Sequence, residues 1–324
     1  MSSYWTVIYH FFLTGFPGLS TQYYGPVSLL LLIVFLAIAI DNIFILVLVY
    51  RERSLHKPTY LIFCHLALSD LAFGTVTLPK IISKYWFDDS VVEYNTCFVQ
   101  MFFVHFLSAT HSCILMVMAL DRFIAICSPL RYSAFTNNVA SSLCGVSWCL
   151  AASWMVYVLM NAYGLSYCNS NVIVHCYCDN HSIIRLACEN IRLITTIAFV
   201  GAMLFLLVPL AFIIFSYFAI FFVVMRISNL EGRRRTVSTC TPQLLITLLY
   251  YTPRCFVYLC NFLGFSFSLP IRVIVVMLYS LLPATINPLI YCFKTKDIKE
   301  CLSKRIKMTK IMLVLANAEL HDVY

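Results

Sequence analysis

Charge is what this sequence has least of. Only 11% of its 324 residues are charged, while 61% are hydrophobic. Ordinary soluble domains carry about 25% charged residues. The 22 basic and 14 acidic side chains cannot cover a soluble surface of this size, which excludes a soluble enzyme. A mean hydropathy of +0.87 agrees. A transmembrane barrel is excluded too, because barrel strands are short and alternate in polarity, whereas the apolar runs here are long and unbroken. The basic residues do not gather into one patch, so the net charge of +8 does not indicate nucleic acid as a partner. Residues 1–26 contain neither Lys nor Arg, so the basic region of a secretory signal is missing and no cleaved signal is expected. They also contain no asparagine, and the one glycosylation sequon in the chain is Asn180-His181-Ser182. There is no internal repeat and no low-complexity region.

What is present is a series of spans. A membrane-crossing helix needs about 20 mainly apolar residues. Seven such stretches occur, near residues 27–50, 59–78, 98–127, 139–163, 194–225, 236–262 and 271–293. The chain thus divides into a tail (1–26), a seven-helix domain (27–293) and a second tail (294–324). The expected fold is an all-α membrane bundle. Seven crossings put the two ends on opposite faces. The face with the C-terminus carries 16 Lys and Arg, the other face 4, with Arg254 and Arg272 inside spans. The positive-inside rule places the N-terminus outside and the C-terminus in the cytoplasm. In the segment 297–313, Ile298, Cys301, Leu302, Ile306 and Met308 fall roughly on one helical face with lysines between them. That is the pattern of an amphipathic helix on a lipid surface.

Ionisable residues inside spans are costly, so each is a candidate functional residue. Asp41, Asp70, Asp121, Arg122 and Arg254 qualify, as do His65, His105 and His111. The third span ends in Met118-Ala-Leu-Asp121-Arg122-Phe123-Ile-Ala-Ile-Cys127-Ser-Pro129-Leu-Arg-Tyr132, and the seventh in Pro283-Ala-Thr-Ile-Asn287-Pro288-Leu-Ile-Tyr291. The second holds Leu66-Ala-Leu-Ser-Asp70. Phe12-Leu13-Thr14-Gly15-Phe16 precedes span one, and Lys57-Pro58-Thr59-Tyr60 opens span two. Ser216-Tyr217 lies in span five, and Ser238-Thr239-Cys240 opens span six. In this order, and over nearly the whole chain, these motifs resemble the olfactory receptors among the rhodopsin-like G protein-coupled receptors.

The resemblance implies a plasma-membrane receptor. It would bind a small-molecule odorant from outside and activate a heterotrimeric G protein of the stimulatory olfactory type, with no cofactor. Arg122 beside Asp121 would be held by polar partners at rest and released when the helices part. Tyr217, Asn287, Pro288 and Tyr291 would belong to the same switch. Pro288 removes a backbone donor from span seven, and a helix interrupted there has two arrangements to move between. Asn42, Asp70 and Asn287 would form a polar core like the family's sodium and water site. The family usually has Gly where Asp41 stands and often Glu where His111 stands. A His111–Asp70 hydrogen bond therefore competes with sodium. Cys97 would pair with Cys178, and Cys168 with Cys188, leaving Cys176 over. Spacing does not fix this connectivity, and Cys176 competes with Cys178.

The ligand site is read from two helical faces. Met101, His105, Ser108 and Ser112 recur on one face of span three, and Tyr251, Arg254, Cys255 and Tyr258 on one face of span six. The alternative is plain interhelical packing with Arg254 snorkelling outward. Val104 stands where amine receptors place an Asp, so an ammonium anchor is missing there. Arg254 lies eight residues from the end of the sixth stretch, about 12 Å deep. Its guanidinium keeps its proton and needs an acidic or carbonyl partner. No carboxylate lies in the outer halves of spans three, five, six or seven, and Glu93 and Glu189 are in loops. A small, water-soluble, acidic ligand is the expectation, with His105 and Tyr258 as further donors. The wording around Asp121 and Tyr132 also looks like the olfactory branch associated with water-borne odorants. A transporter would show paired broken helices and an acidic pathway along several spans, which this sequence lacks. A membrane enzyme would show a metal or Ser/His constellation at a shared depth, and none stands out in this sequence. A receptor for a peptide or lipid fits the short N-terminal tail and the olfactory motifs less well.

Overall fold

The computed structural model describes residues 9–168, 170–262, 265 and 268–304, without the side chains of residues 235, 258, 261 and 262. It is a bundle of seven long helices: α1 (Tyr24–Arg51), α2 (Pro58–Phe87), α3 (Tyr94–Cys127), α4 (Asn137–Tyr163), α6 (Arg192–Met225), α7 (Leu230–Phe262) and α8 (Leu269–Lys294). A short helix, α5 (Asn180–Ile184), lies in the connection between α4 and α6. The shortest long helix has 26 residues, about 39 Å, enough to cross a bilayer. Six of the seven are also apolar enough to do so. The exception is α7, the sixth expected span, which carries Arg233, Arg234, Gln243 and Arg254 along its length.

The sequence placed every long helix but misjudged some ends. Helix α2 runs nine residues past the expected Leu78, through Pro79, to Asp88 in a left-handed conformation. Apolarity runs out at Lys80, but the backbone continues because protein, not lipid, covers the last turns. Lys84 is buried there, its ammonium near the rings of Tyr24 and Tyr85. Helix α7 starts six residues earlier than expected, at Leu230, because charged side chains sustain a helix in water as well as apolar ones do in lipid. The amphipathic tail is helical over residues 296–304, with Ile298 and Cys301 buried. Ile306 and Met308 lie outside the described residues.

The prolines inside helices show how the bundle satisfies its backbone. Proline at position i frees the carbonyl of residue i−4, which in lipid must find a donor. Pro209 frees Phe205, whose carbonyl oxygen accepts from the Ser112 hydroxyl at 2.7 Å. Pro288 frees Ala284, whose carbonyl accepts from the Asn42 amide at 3.0 Å. Each proline thus ties two helices together.

One end of the bundle is capped by a small sheet that the sequence did not announce. Strand β1 (His10–Leu13) pairs antiparallel with β2 (Val91–Glu93) and parallel with β3 (Val172–Ile173). Phe11 and Leu13 point inward and are almost fully buried, while His10 and Phe12 face out. Phe11 packs in a cluster with Tyr94, Phe98 and Tyr167. Burying one such side chain contributes about 1.5–3 kcal/mol. Gly15 follows at a φ of 73°, and a Cβ there would collide with the Tyr85 hydroxyl, which accepts the Phe16 amide at 2.6 Å. Only glycine meets both demands.

Candidate functional site

Three polar clusters run down the bundle. At the end opposite the sheet, Asp121 and Arg122 close α3. Asp121 is buried and accepts from the Thr59 hydroxyl at 2.8 Å and the Tyr132 hydroxyl at 3.0 Å. The Arg122 Nε is 3.8 Å from the same carboxylate and makes no hydrogen bond among the described residues. Asp121 is therefore anchored by its neighbours more firmly than by Arg122. Thr59 and Tyr132 belong to the motifs opening span two and following span three, so the structure brings three sequence motifs to one carboxylate. The Tyr217 hydroxyl is buried and has no hydrogen bond among the described residues, and Tyr217 packs against the cluster of Ile220, Val224 and Cys240. Lys57 bridges to Asp297 at 2.6 Å, pinning the helical tail to the start of α2.

Mid-bundle, Asp70 receives a hydrogen bond from the Asn287 amide at 2.8 Å on one oxygen and faces Nδ1 of His111 at 3.1 Å on the other. Each oxygen thus has one partner, and the His111–Asp70 contact expected as a competitor of sodium is present. Asn42 sits at the Pro288 break rather than on Asp70. Tyr291 stacks on Phe63 with ring centres 4.2 Å apart, and its hydroxyl is buried with no hydrogen bond among the described residues. Among the described residues no group of three His, Cys, Asp or Glu side chains could hold a metal ion.

Beside Asp70 lies a small cavity, about the size of one water. Its wall includes Asp70, Ser108, His111, Tyr250, Arg254 and Ser280. Of the eight residues expected to bound a ligand site, Ser108 and Arg254 line it. Met101, His105, Ser112, Tyr251 and Cys255 do not. Met101 is fully buried in the cluster beneath the sheet. Ser112 is used on the carbonyl freed by Pro209, and the Tyr251 hydroxyl, 2.6 Å away, donates to it. Cys255 packs at the margin of the large core cluster. The Tyr258 side chain lies outside the described residues. His105 faces the loop instead of Arg254, because an aspartate overlooked in the sequence claims it.

That aspartate is Asp179, in the capped end. Its carboxylate lies 3.3 Å from Nε2 of His105 and caps α5 by accepting from the Ser182 amide. Burial pushes the Asp179 carboxyl up, but His105, the charge of His175 and the Ser182 amide overcome this and hold it well below the usual range. The loop around it is fixed by Cys97–Cys178, with Cα atoms 5.4 Å apart, and by Cys168–Cys188. Cys176 is a buried free thiol. Gln100, also unremarked in the sequence, accepts from the Cys178 amide at 2.9 Å and donates to the Val76 carbonyl at 2.8 Å. Asn180, the sequon asparagine, is built into this lid: its backbone amide lies 3.2 Å from His105 and its Oδ1 is buried. The residue as a whole is half-buried, a position that disfavours a glycan. Glycosidase treatment of the expressed protein is expected to leave its gel mobility unchanged, and a shift to lower mass would show that the lid opens during synthesis.

A sequence profile described as olfactory receptor matches residues 30–310. Olfactory receptor 51E2 of Homo sapiens is 36% identical over 290 residues, covering 89% of this chain and 90% of that protein. Olfactory receptor 2AT4 of Homo sapiens is 32% identical over 297 residues, covering 91% and 92%. The chain belongs to the olfactory receptor family. Its members are rhodopsin-like, seven-helix G protein-coupled receptors. The receptor is a multi-pass membrane protein, and its family carries small-molecule recognition and G protein coupling.

Proposed function

We propose that the receptor binds a small, water-soluble acid from the outside and activates a stimulatory olfactory-type G protein at the cytoplasmic face. The N-terminus is outside in this reading, from the excess of Lys and Arg on the other face. The two disulfides then lie where disulfides persist. Asp121, Arg122 and Tyr217 form the coupling end, and Asn287, Pro288 and Tyr291 form the hinge above it.

One observation carries the ligand class. Arg254 is only 8% exposed. Its guanidinium donates to its own helix at the Tyr250 carbonyl, 2.9 Å away, and lies over the rings of Tyr250 and Tyr279. No carboxylate pairs with it within 4 Å among the described residues. A buried cation without an anion is costly, and a ligand carboxylate relieves it. A charge-assisted hydrogen bond is worth about 1.5–3 kcal/mol, or roughly 10- to 100-fold in potency. Carboxylic acids should therefore outperform their methyl esters by that factor in cells reporting cyclic AMP. In Arg254→Gln the gap should close. Equal potency of acid and ester in the wild type would leave Arg254 a packing residue.

A further inference from the structure

We propose that Thr236 is a phosphorylation site for a serine/threonine kinase that selects basic sequence, of the class switched on by cyclic AMP. The chain reads Arg233-Arg234-Arg235-Thr236-Val237. Thr236 has arginines at the third and second places before it and an apolar residue after it. No other Ser or Thr in the chain has Lys or Arg at both of those places. Ser238 has Arg235 at the third place but Thr236 at the second, and Ser228 has only Arg226, at the second. A kinase of this class chooses its substrate by charge pattern. Carboxylates in its cleft take the two guanidiniums, each a planar fork that pairs with a carboxylate through two bonds. An apolar groove takes the residue that follows.

The fold presents this motif. Between Val224 and Cys240, where α6 gives way to α7, no side chain among the described residues is buried. Arg233, Arg234 and Val237 are exposed, and Thr236 is half-buried. The Arg233 guanidinium donates to the Met225 sulfur at 2.9 Å, a weak acceptor that a carboxylate displaces. The Thr236 hydroxyl donates to the Gly232 carbonyl, one turn back, at 2.9 Å. A kinase needs that hydroxyl turned out of the helix. The first turns of a helix lack inner partners for their amides, and here no buried side chain holds them down. They therefore open at small cost. In the orientation proposed above, this stretch is cytoplasmic, the side on which ATP and the kinase are found.

Transfer breaks the Thr236 O–H bond and the bond from the γ-phosphorus of ATP to its bridging oxygen. A bond from Oγ1 to phosphorus forms, and ADP and a proton leave. The ester oxygen has no proton left to donate, so the bond to Gly232 is lost. A phosphate carries about −1.5 to −2 charge at neutral pH. Residues 225–240 hold four arginines and one glutamate, a net charge of +3, which the phosphate lowers to about +1. Thr236 is one turn from Cys240 on the same helical face. Cys240 sits in one cluster with Ile220 and Val224 of α6, and Cys127 of α3 packs against it. The phosphate therefore enters the margin of the place where α3, α6 and α7 meet, at the end assigned to coupling above. The coupling reading supplies one link only: a receptor that raises cyclic AMP switches on the kinase that marks it. The site itself does not depend on that reading.

The test incubates purified full-length receptor in detergent with ATP and the catalytic subunit of a cyclic AMP-dependent kinase. Mass spectrometry of proteolytic peptides then locates the phosphate. It is expected on Thr236, and this mark should be gone in Thr236→Val. Arg234→Gln removes one guanidinium–carboxylate pair and should slow incorporation about 10- to 100-fold. Arg235→Gln, at the place the pattern leaves free, should not. Phosphate on Ser228, Ser238 or Thr239 instead, or none at all, overturns the site. Equal slowing by Arg234→Gln and Arg235→Gln reduces the motif to a basic run at a membrane surface and overturns it too. In cells, forskolin raises cyclic AMP without any receptor ligand and should place phosphate on Thr236 of the wild type. Cells in which forskolin marks Thr236, yet no carboxylic acid raises cyclic AMP, sink the reading under Proposed function alone. Cells that answer acids but leave Thr236 bare under forskolin sink the phosphorylation site alone.

Discussion

Arg122→Ala is expected to abolish ligand-stimulated signalling while the receptor still reaches the cell surface. The separation follows from the contacts. Asp121 is held by Thr59 and Tyr132 at 2.8 and 3.0 Å, whereas the Arg122 Nε is 3.8 Å away. Removing the guanidinium leaves both shorter bonds intact. The lost ion pair, at the long end of the range, contributes about 1 kcal/mol or less to folding. What is lost instead is a large cation whose Nε is buried without a hydrogen bond among the described residues, as is the Tyr217 hydroxyl. Groups left unmade at rest are available to partners that arrive when the helices part. Cyclic AMP accumulation and surface labelling of the same cells separate the two effects. Signalling at wild-type potency would deny Arg122 its coupling role.

The long helices were legible because each is a run of apolar residues too long for anything but a span, and sequence marks that length directly. The coupling end was legible as motifs, though not as contacts: nothing in the spacing of Thr59, Asp121 and Tyr132 says that they meet. The ligand face was less so. Ser112 and Tyr251 lie on plausible faces, but periodicity cannot tell a side chain facing a cavity from one satisfying a carbonyl. The signal that could have found Ser112 is Pro209, since a proline inside a membrane helix calls for a donor from a neighbour. Asn42 answers to Pro288 in the same way. Asp179 escaped notice because it lies in a loop, and its reach to His105 depends on disulfides that fold the loop inward. Strand β1 is only four residues long, and its alternation of His10, Phe11, Phe12 and Leu13 is too short to stand out beside seven spans.

The largest effect on folding is expected at the lid. Cys97 and Cys178 are 81 residues apart and both fully buried, in one cluster with Phe11, Phe98 and Met101. Closing a loop of that length removes about 4.5 kcal/mol of unfolded-state entropy in the chain-entropy account, against about 3.3 kcal/mol for the 20-residue separation of Cys168 and Cys188. Domain stabilities are about 5–15 kcal/mol, so the first loss alone approaches the lower bound. The damage would spread, because the Cys178 amide is the donor that positions Gln100, and the next residue, Asp179, holds His105. Cys97→Ser and Cys178→Ser should therefore remove nearly all surface receptor, and Cys188→Ser should remove less. Cys176 is equally buried but bonds no other cysteine. Truncating its thiol in Cys176→Ala leaves a void of one sulfur, which costs about 1 kcal/mol, and the receptor should still reach the surface. Flow cytometry on the four variants ranks them directly. If Cys176→Ala emptied the surface while Cys178→Ser left it populated, Cys97 would be bonded to Cys176, and the position of Asp179 over His105 would have to be redrawn with it.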